Sequence, residues 1–227
     1  AGADLFQGYY FTKPQLLNFK NINPSTVTIL ELLKVTFNKP FEFASLIEKV
    51  EKDPSLVARL LRLANLRCKT SNKEISSISQ AVIYLGEETI KQFVTVLSLG
   101  NLSENKPSEL LSVGLIRGKF LELLLNSDKK LREKGYLLGI VSIFNALIDV
   151  DTAFVIKELS LGDTIKLALE TQSGQLGDYY LLCLKVETND FVGIRGCINA
   201  LKLKERFVMD CYVQAIAYAD DIQTSYM

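Results

Sequence analysis

The stretch from Asp53 to Gly86, DPSLVARLLRLANLRCKTSNKEISSISQAVIYLG, limits the fold most tightly. Asp is a good helix N-cap and Pro suits the first helical position, so Asp53-Pro54 opens a helix. Leu56, Leu60 and Leu63 recur at i, i+4, i+7, the spacing of one buried helical face. Val57, Leu61 and Ala64 widen that face, while Arg59, Arg62 and Asn65 fall on the other side. A polar link follows. Ile75 to Leu85 then makes a second apolar helix, stopped by Gly86 as its C-cap.

The same period runs through the rest of the chain. It predicts helices from Ser25 to about Asn38, ended by Lys39-Pro40, and from about Phe43 to Glu51. Further helices are predicted for Glu87–Ser98, Ser108–Asn126, Tyr136–Asp149, Thr152–Leu159, Asp163–Glu170, Asp178–Val186, Phe191–Leu201 and Glu205–Ile222. The inner face of the last is read as Val208, Cys211, Tyr212, Ala215, Ile216 and Ala219. Asp128–Glu133 reads as a charged link. Thr171–Gly177 reads as a loop; its glycines lack the Lys-Ser/Thr ending and the preceding strand of a phosphate cradle. No alternating strand pattern with hairpin turns occurs beyond Phe6–Phe11, so the fold class is all-α, a multi-helix bundle.

Within Ser108–Asn126, Leu110, Val113, Phe120, Leu121 and Leu124 all project within about 60° of Arg117. Arg117 is therefore expected on the buried face, and a buried guanidinium needs a carboxylate or carbonyl partner. Ser112, Lys119, Glu122 and Asn126 gather on the opposite side. In the apolar segment Tyr136–Asp149, Ser142, Asn145 and Asp149 share one stripe at i, i+3, i+7. Two readings stay open. In one, the stripe faces Arg117, with Asp149 or Asn145 as first candidate partners; in the other, it is a narrow seam open to solvent.

Composition removes whole classes of chemistry. The 227 residues contain no histidine, which excludes Ser–His and Cys–His nucleophile pairs and His-ligated zinc. Carboxylate-only magnesium chemistry stays open. Lys+Arg and Asp+Glu both total 26, so the basic surplus of a non-specific nucleic-acid binder is missing. Cys68, Cys183, Cys197 and Cys211 form no CxxC pair and read as buried small hydrophobes in a reducing cytosol. The most apolar run, Tyr136–Val150, is too short and too polar to span a membrane. A cytoplasmic protein is expected. No catalytic residue, metal ligand or cofactor is assigned.

Asp-Pro, Leu-Leu-Arg-Leu-Ala-Asn, Ile-Ser-Ser-Ile, Ala-Val and Leu-Gly, in this order, resemble the opening of an HDOD domain. Leu115-Ile116-Arg117-Gly118-Lys119-Phe120 resembles that family's arginine-bearing helix, and Gly139-Ile140-Val141-Ser142-Ile143-Phe144 its central helix. Gln7-Gly8-Tyr9-Tyr10-Phe11 through Pro14 resembles the close of an EAL domain, the barrel phosphodiesterase of cyclic di-GMP. The resemblance implies an EAL remnant over residues 1–14, short and extended, and an HDOD-type helical domain over 15–227. Two helical subdomains, about 15–150 and 151–227, are allowed within the latter. The chain starts at Ala1 in mid-pattern and is read as a fragment.

HDOD domains are related in fold to HD metal phosphohydrolases. The resemblance places the His-Asp doublet of those enzymes at Ser142-Ile143, which cannot replace an imidazole and a carboxylate as ligands. It implies a non-catalytic regulatory and protein-interaction module in bacterial cyclic di-GMP signalling. Its partners would be its own EAL domain and a further protein, with a homo-oligomer also allowed. The candidate structural or interaction residues are Arg117, Ser142, Asn145, Asp149, Arg59, Arg62 and Asn65. The alternative is a small-molecule module holding a nucleotide near these arginines, since the guanidinium fork suits phosphate. A metal-dependent phosphohydrolase is the third reading.

Overall fold

The computed structural model describes residues 24–37, 40–68, 75–102 and 108–226. The segment read as an EAL remnant, 1–14, lies outside the described residues. Among the described residues every regular element is a helix, twelve in all, and no strand occurs. Among the same residues no helix is long and apolar enough to cross a membrane. The chain divides into two compact units, one of them Asn23–Leu102 and the other including Ser103–Met227.

The Asn23–Leu102 unit holds α1 (Pro24–Phe37), α2 (Phe43–Glu51), α3 (Pro54–Arg67) and α4 (Ile78–Leu102). Asp53 caps α3 as its sequence requires: Oδ1 accepts from the backbone N–H of Ser55 at 2.9 Å and of Leu56 at 3.3 Å. Leu56, Leu60, Leu63 and Ala64 are buried, and Arg59 and Arg62 are exposed. α1 and α3 pack on α4, with α2 touching all three. Gly86 interrupts α4 with φ 76° and ψ 165°, a conformation that L side chains rarely adopt. The two helices expected on either side of Gly86 are thus present, joined within α4 by a kink at the glycine.

The other unit holds α5 (Ser108–Leu124), α6 (Lys129–Val141), α7 (Phe144–Ile148), α8 (Thr152–Glu158), α9 (Asp163–Thr171), α10 (Gly174–Glu187), α11 (Phe191–Ala200) and α12 (Glu205–Tyr226). α5 lies between α6 and α12. α5 and α6 approach to backbone contact because glycines face each other. A methyl group on Gly139 would overlap Gly118 N and Arg117 C. One on Gly118 would stand 3.1 Å from the Tyr136 carbonyl oxygen. On the other flank of α5, the Phe120 ring meets Tyr212 of α12 edge-on at 5.3 Å. Lys119 Nζ sits 5.0 Å from the centre of the Tyr218 ring.

Several sequence expectations need correction here. Asp128–Glu133 is not a link: Asp128 caps α6, accepting from the Lys130 and Leu131 N–H groups at 2.8 and 3.2 Å. Tyr136–Asp149 is not one helix. α6 ends at Val141 and α7 begins at Phe144. The Ser142 hydroxyl turns back to donate to the Gly139 carbonyl at 2.7 Å, competing with the backbone for that acceptor at the last turn of α6. The loop read over Thr171–Gly177 shrinks to Gln172 and Ser173. Gly174 there takes φ 76°, and Gly177 passes so close to Gln172 that a methyl group would meet its carbonyl carbon at 2.5 Å. Glu122, read on the outer side of α5, is buried and paired with Lys119 at 2.9 Å. A helix packed on two flanks buries more than its apolar stripe.

Candidate functional site

The expected burial of Arg117 holds: it is 5% exposed, among Leu110, Phe120, Leu121 and Leu124, all buried on the same helix. Each of its three guanidinium nitrogens has a partner. Nε donates to Glu187 Oε1 at 2.7 Å and Nη2 to Glu187 Oε2 at 2.8 Å. Nη1 donates to the Ser142 hydroxyl at 3.0 Å. Burial opposes the charge on Arg117, yet the hydrogen bonds and charge of Glu187 outweigh it and raise the guanidinium pKa. A two-point pair of this geometry is among the stronger protein hydrogen bonds.

α10 supplies the rest of the cluster. Cys183, one turn before Glu187, is fully buried and directs its thiol at Glu187 Oε1 across 3.9 Å. Burial, with the Glu187 carboxylate beside it, pushes the thiol pKa well up, against the pull of Arg117. Burial also raises the Tyr180 phenol, while Arg117 and Ser142 pull it down. Ser142, Tyr180 and Asn145, with Val141, Thr152, Val155 and Leu169, line a cavity of about 100 Å³.

The structure brings together only part of the predicted stripe. Ser142 meets Arg117, so the reading in which the stripe faces the arginine is right at this residue. Asn145 and Asp149, its expected first partners, do not serve. Asn145 Oδ1 accepts from the Ala146 N–H at 2.9 Å. Asp149 takes φ 54° at the C-cap of α7, and the break at 142–143 removes both residues from the expected helical register.

Asn65 is not offered to a partner either. Its amide donates to the Ile75 carbonyl at 2.8 Å and to the Leu61 carbonyl at 3.0 Å, and its oxygen accepts from the Ile75 N–H at 2.8 Å. It pins the end of the link between α3 and α4. Arg59 and Arg62 lie exposed on α3, in the other unit from Arg117.

Sequence reasoning missed Glu187. A signal existed: Leu176, Tyr180 and Cys183 are buried at i, i+4, i+7, and Glu187 at i+11 continues that stripe. A carboxylate on an apolar stripe calls for a cation as surely as Arg117 calls for a carboxylate. Among the described residues, no three His, Cys, Asp or Glu side chains converge as a metal site would require.

Residues 22–119 match the model of the HDOD domain family. The cyclic di-GMP phosphodiesterase CdgJ of Vibrio cholerae serotype O1 is 30% identical over 224 residues, which cover 98% of this chain and 52% of that protein. The uncharacterized protein YuxH of Bacillus subtilis strain 168 is 28% identical over 228 residues, covering 97% of this chain and 54% of that one. The chain thus spans about half the length of the curated relatives it matches. A solved structure from Marinobacter aquaeolei VT8, provisionally described as a signal transduction protein, superposes with a TM-score of 0.58 at 15% identity. That match covers 96% of this chain and 62% of the other, and at such identity the likeness is one of fold. The matched segment takes in α1 to α4 and enters α5 as far as Arg117 and Lys119, and an HDOD domain is therefore found in this chain over residues 22–119.

Proposed function

We propose that this chain is a non-catalytic regulatory module of cyclic di-GMP signalling, working in the bacterial cytoplasm beside an EAL domain and passing a conformational state to a protein partner. The observation that carries the reading is the engagement of the polar cluster with itself. Ser142 stands where the resemblance places the first residue of the metal-binding doublet. Its hydroxyl donates to Gly139 and accepts from Arg117. Both oxygens of Glu187 are held by Arg117. The chain has no histidine with which to rebuild the doublet elsewhere. CdgJ, by its name a cyclic di-GMP phosphodiesterase, supports the signalling context.

Size weighs against the nucleotide reading at this site. The cavity beside Ser142 holds about 100 Å³, whereas pockets for drug-sized ligands run to about 300–1,000 Å³.

The test is turnover. The purified chain is incubated with cyclic di-GMP and a nucleotide panel, with magnesium or manganese, after its metal content has been measured. No hydrolysis and no saturable thermal stabilisation by any nucleotide is the expected result. Metal-dependent hydrolysis that survives repurification would overturn the reading. Saturable stabilisation by one nucleotide would replace it with the ligand-binding one.

A further inference from the structure

α12 carries two apolar faces, and only one is covered by the described residues. Val208, Cys211, Ala215, Ala219 and Ile222 are buried, and the helix packs on α5. Met209, Val213 and Ile216 are 47%, 62% and 37% exposed. At i, i+4, i+7 they form a second stripe, with exposed Ala217 beside it. The sequence placed Ile216 on the inner face; it stands at the rim of the outer one. Arg206 and Asp220, both exposed, lie on the same stripe at opposite ends.

The stripe is complementary to itself about Val213. Arg206 and Asp220 lie seven residues before and after Val213, and Met209 and Ala217 lie four before and after it. Two α12 helices crossing antiparallel at Val213 would set Arg206 of each copy against Asp220 of the other, twice over. The same two-fold axis would set the large Met209 against the small Ala217. Parallel pairing would instead oppose Arg206 to Arg206 and Asp220 to Asp220, a repulsive arrangement. Isologous interfaces require this kind of self-complementarity. A membrane surface is a poorer occupant, because the stripe ends in an aspartate and the chain has no net positive charge.

We propose that this face of α12 is the contact of a symmetric antiparallel homodimer, with Val213 at its axis and the Arg206–Asp220 pairs at its ends. One helix face is small beside the roughly 800 Å² per partner of a standard interface, so the dimer should be a weak one that forms only as concentration rises. Within one chain Arg206 already lies 3.9 Å from Asp210, but both are exposed, and such pairs exchange readily.

Sedimentation of the full 227-residue chain across a concentration series tests the proposal. The wild type should pass from monomer to dimer, and added salt should shift the transition to higher concentration. Val213→Glu should leave a monomer with unchanged circular dichroism and melting temperature. Arg206→Asp and Asp220→Arg should each weaken association by about tenfold or more, as like charges meet at both ends. The double exchange, Arg206→Asp with Asp220→Arg, should restore it. Three outcomes would overturn the proposal: a wild type that stays monomeric, leaving the stripe to a different protein; dimers that survive Val213→Glu; or a double exchange no better than either single variant.

Discussion

Arg117 and Glu187, 70 residues apart in sequence, meet through two parallel hydrogen bonds of 2.7 and 2.8 Å. The pair joins the middle of α5 to the last turn of α10. Removing one member leaves the other partly buried and unpaired. Arg117→Ala should cost about 3 kcal/mol, at the low end for a buried pair because the Glu187 side chain keeps 20% of its exposure. Arg117→Lys should recover only part of this, since an ammonium cannot grip both oxygens and Ser142 at once. The double variant Arg117→Met, Glu187→Leu should be more stable than Arg117→Ala. Urea unfolding of the set measures each cost. An unchanged midpoint for Arg117→Ala would show the pair to be dispensable.

The glycine seam between α5 and α6 should tolerate nothing larger. Gly139→Ala must push the helices apart, because the new methyl group meets backbone rather than a movable side chain. A loss of about 3 kcal/mol or more is expected, at or beyond the upper end of ordinary overpacking. Gly114→Ala should cost less, since its methyl group meets only side-chain atoms of Ile143, the terminal Cδ1 nearest at 2.6 Å, and no backbone. Gly196→Ala in α11, where a methyl group meets nothing within 4 Å, should stabilise by about 0.5–1 kcal/mol. Thermal midpoints should rank the three in that order.

Asn65→Ala should destabilise by about 1–3 kcal/mol, because it orphans the N–H and C=O of the buried Ile75. Asn65→Asp keeps the acceptor for the Ile75 N–H and loses the donor, so it should fall between wild type and Asn65→Ala. Amide exchange at Ile75 reports the change directly: faster exchange in Asn65→Ala is expected, and an unaltered rate would refute the pinning role.

Stability should fall on the alkaline side. Burial holds the Cys183 proton in the folded state above the ordinary thiol range, and burial raises Tyr180 as well. In the unfolded chain a thiol ionises near about pH 8.5. Below that pH both states hold the proton and the contribution is complete. As pH rises from the unfolded thiol value towards the folded one, the unfolded state loses a proton that the folded state keeps, and stability declines. Cys183→Ser should make the decline between about pH 8.5 and pH 10 shallower, read from urea midpoints across the pH series. An equally steep decline in the variant would assign it to other groups.

The sequence by itself determined the helices and much of the burial. Asp53-Pro54, the leucine spacing in α3 and the break at Gly86 are local codes, written within one or two turns and legible without the fold. The burial of Arg117 belongs with them, because it follows from its own helix face. Tertiary structure decided what met across the fold. Whether Arg117 found Asp149 or Glu187 depended on the end of α6 at Ser142, where a hydroxyl returned to its own backbone and the next helix started in a new direction. It depended also on glycine-to-glycine contact between α5 and α6, since each glycine has meaning only opposite the other. Periodicity says which face of a helix seeks a partner. Only the packing of one helix on another supplies the partner, because the pairing is fixed by distances between backbones that no single segment encodes.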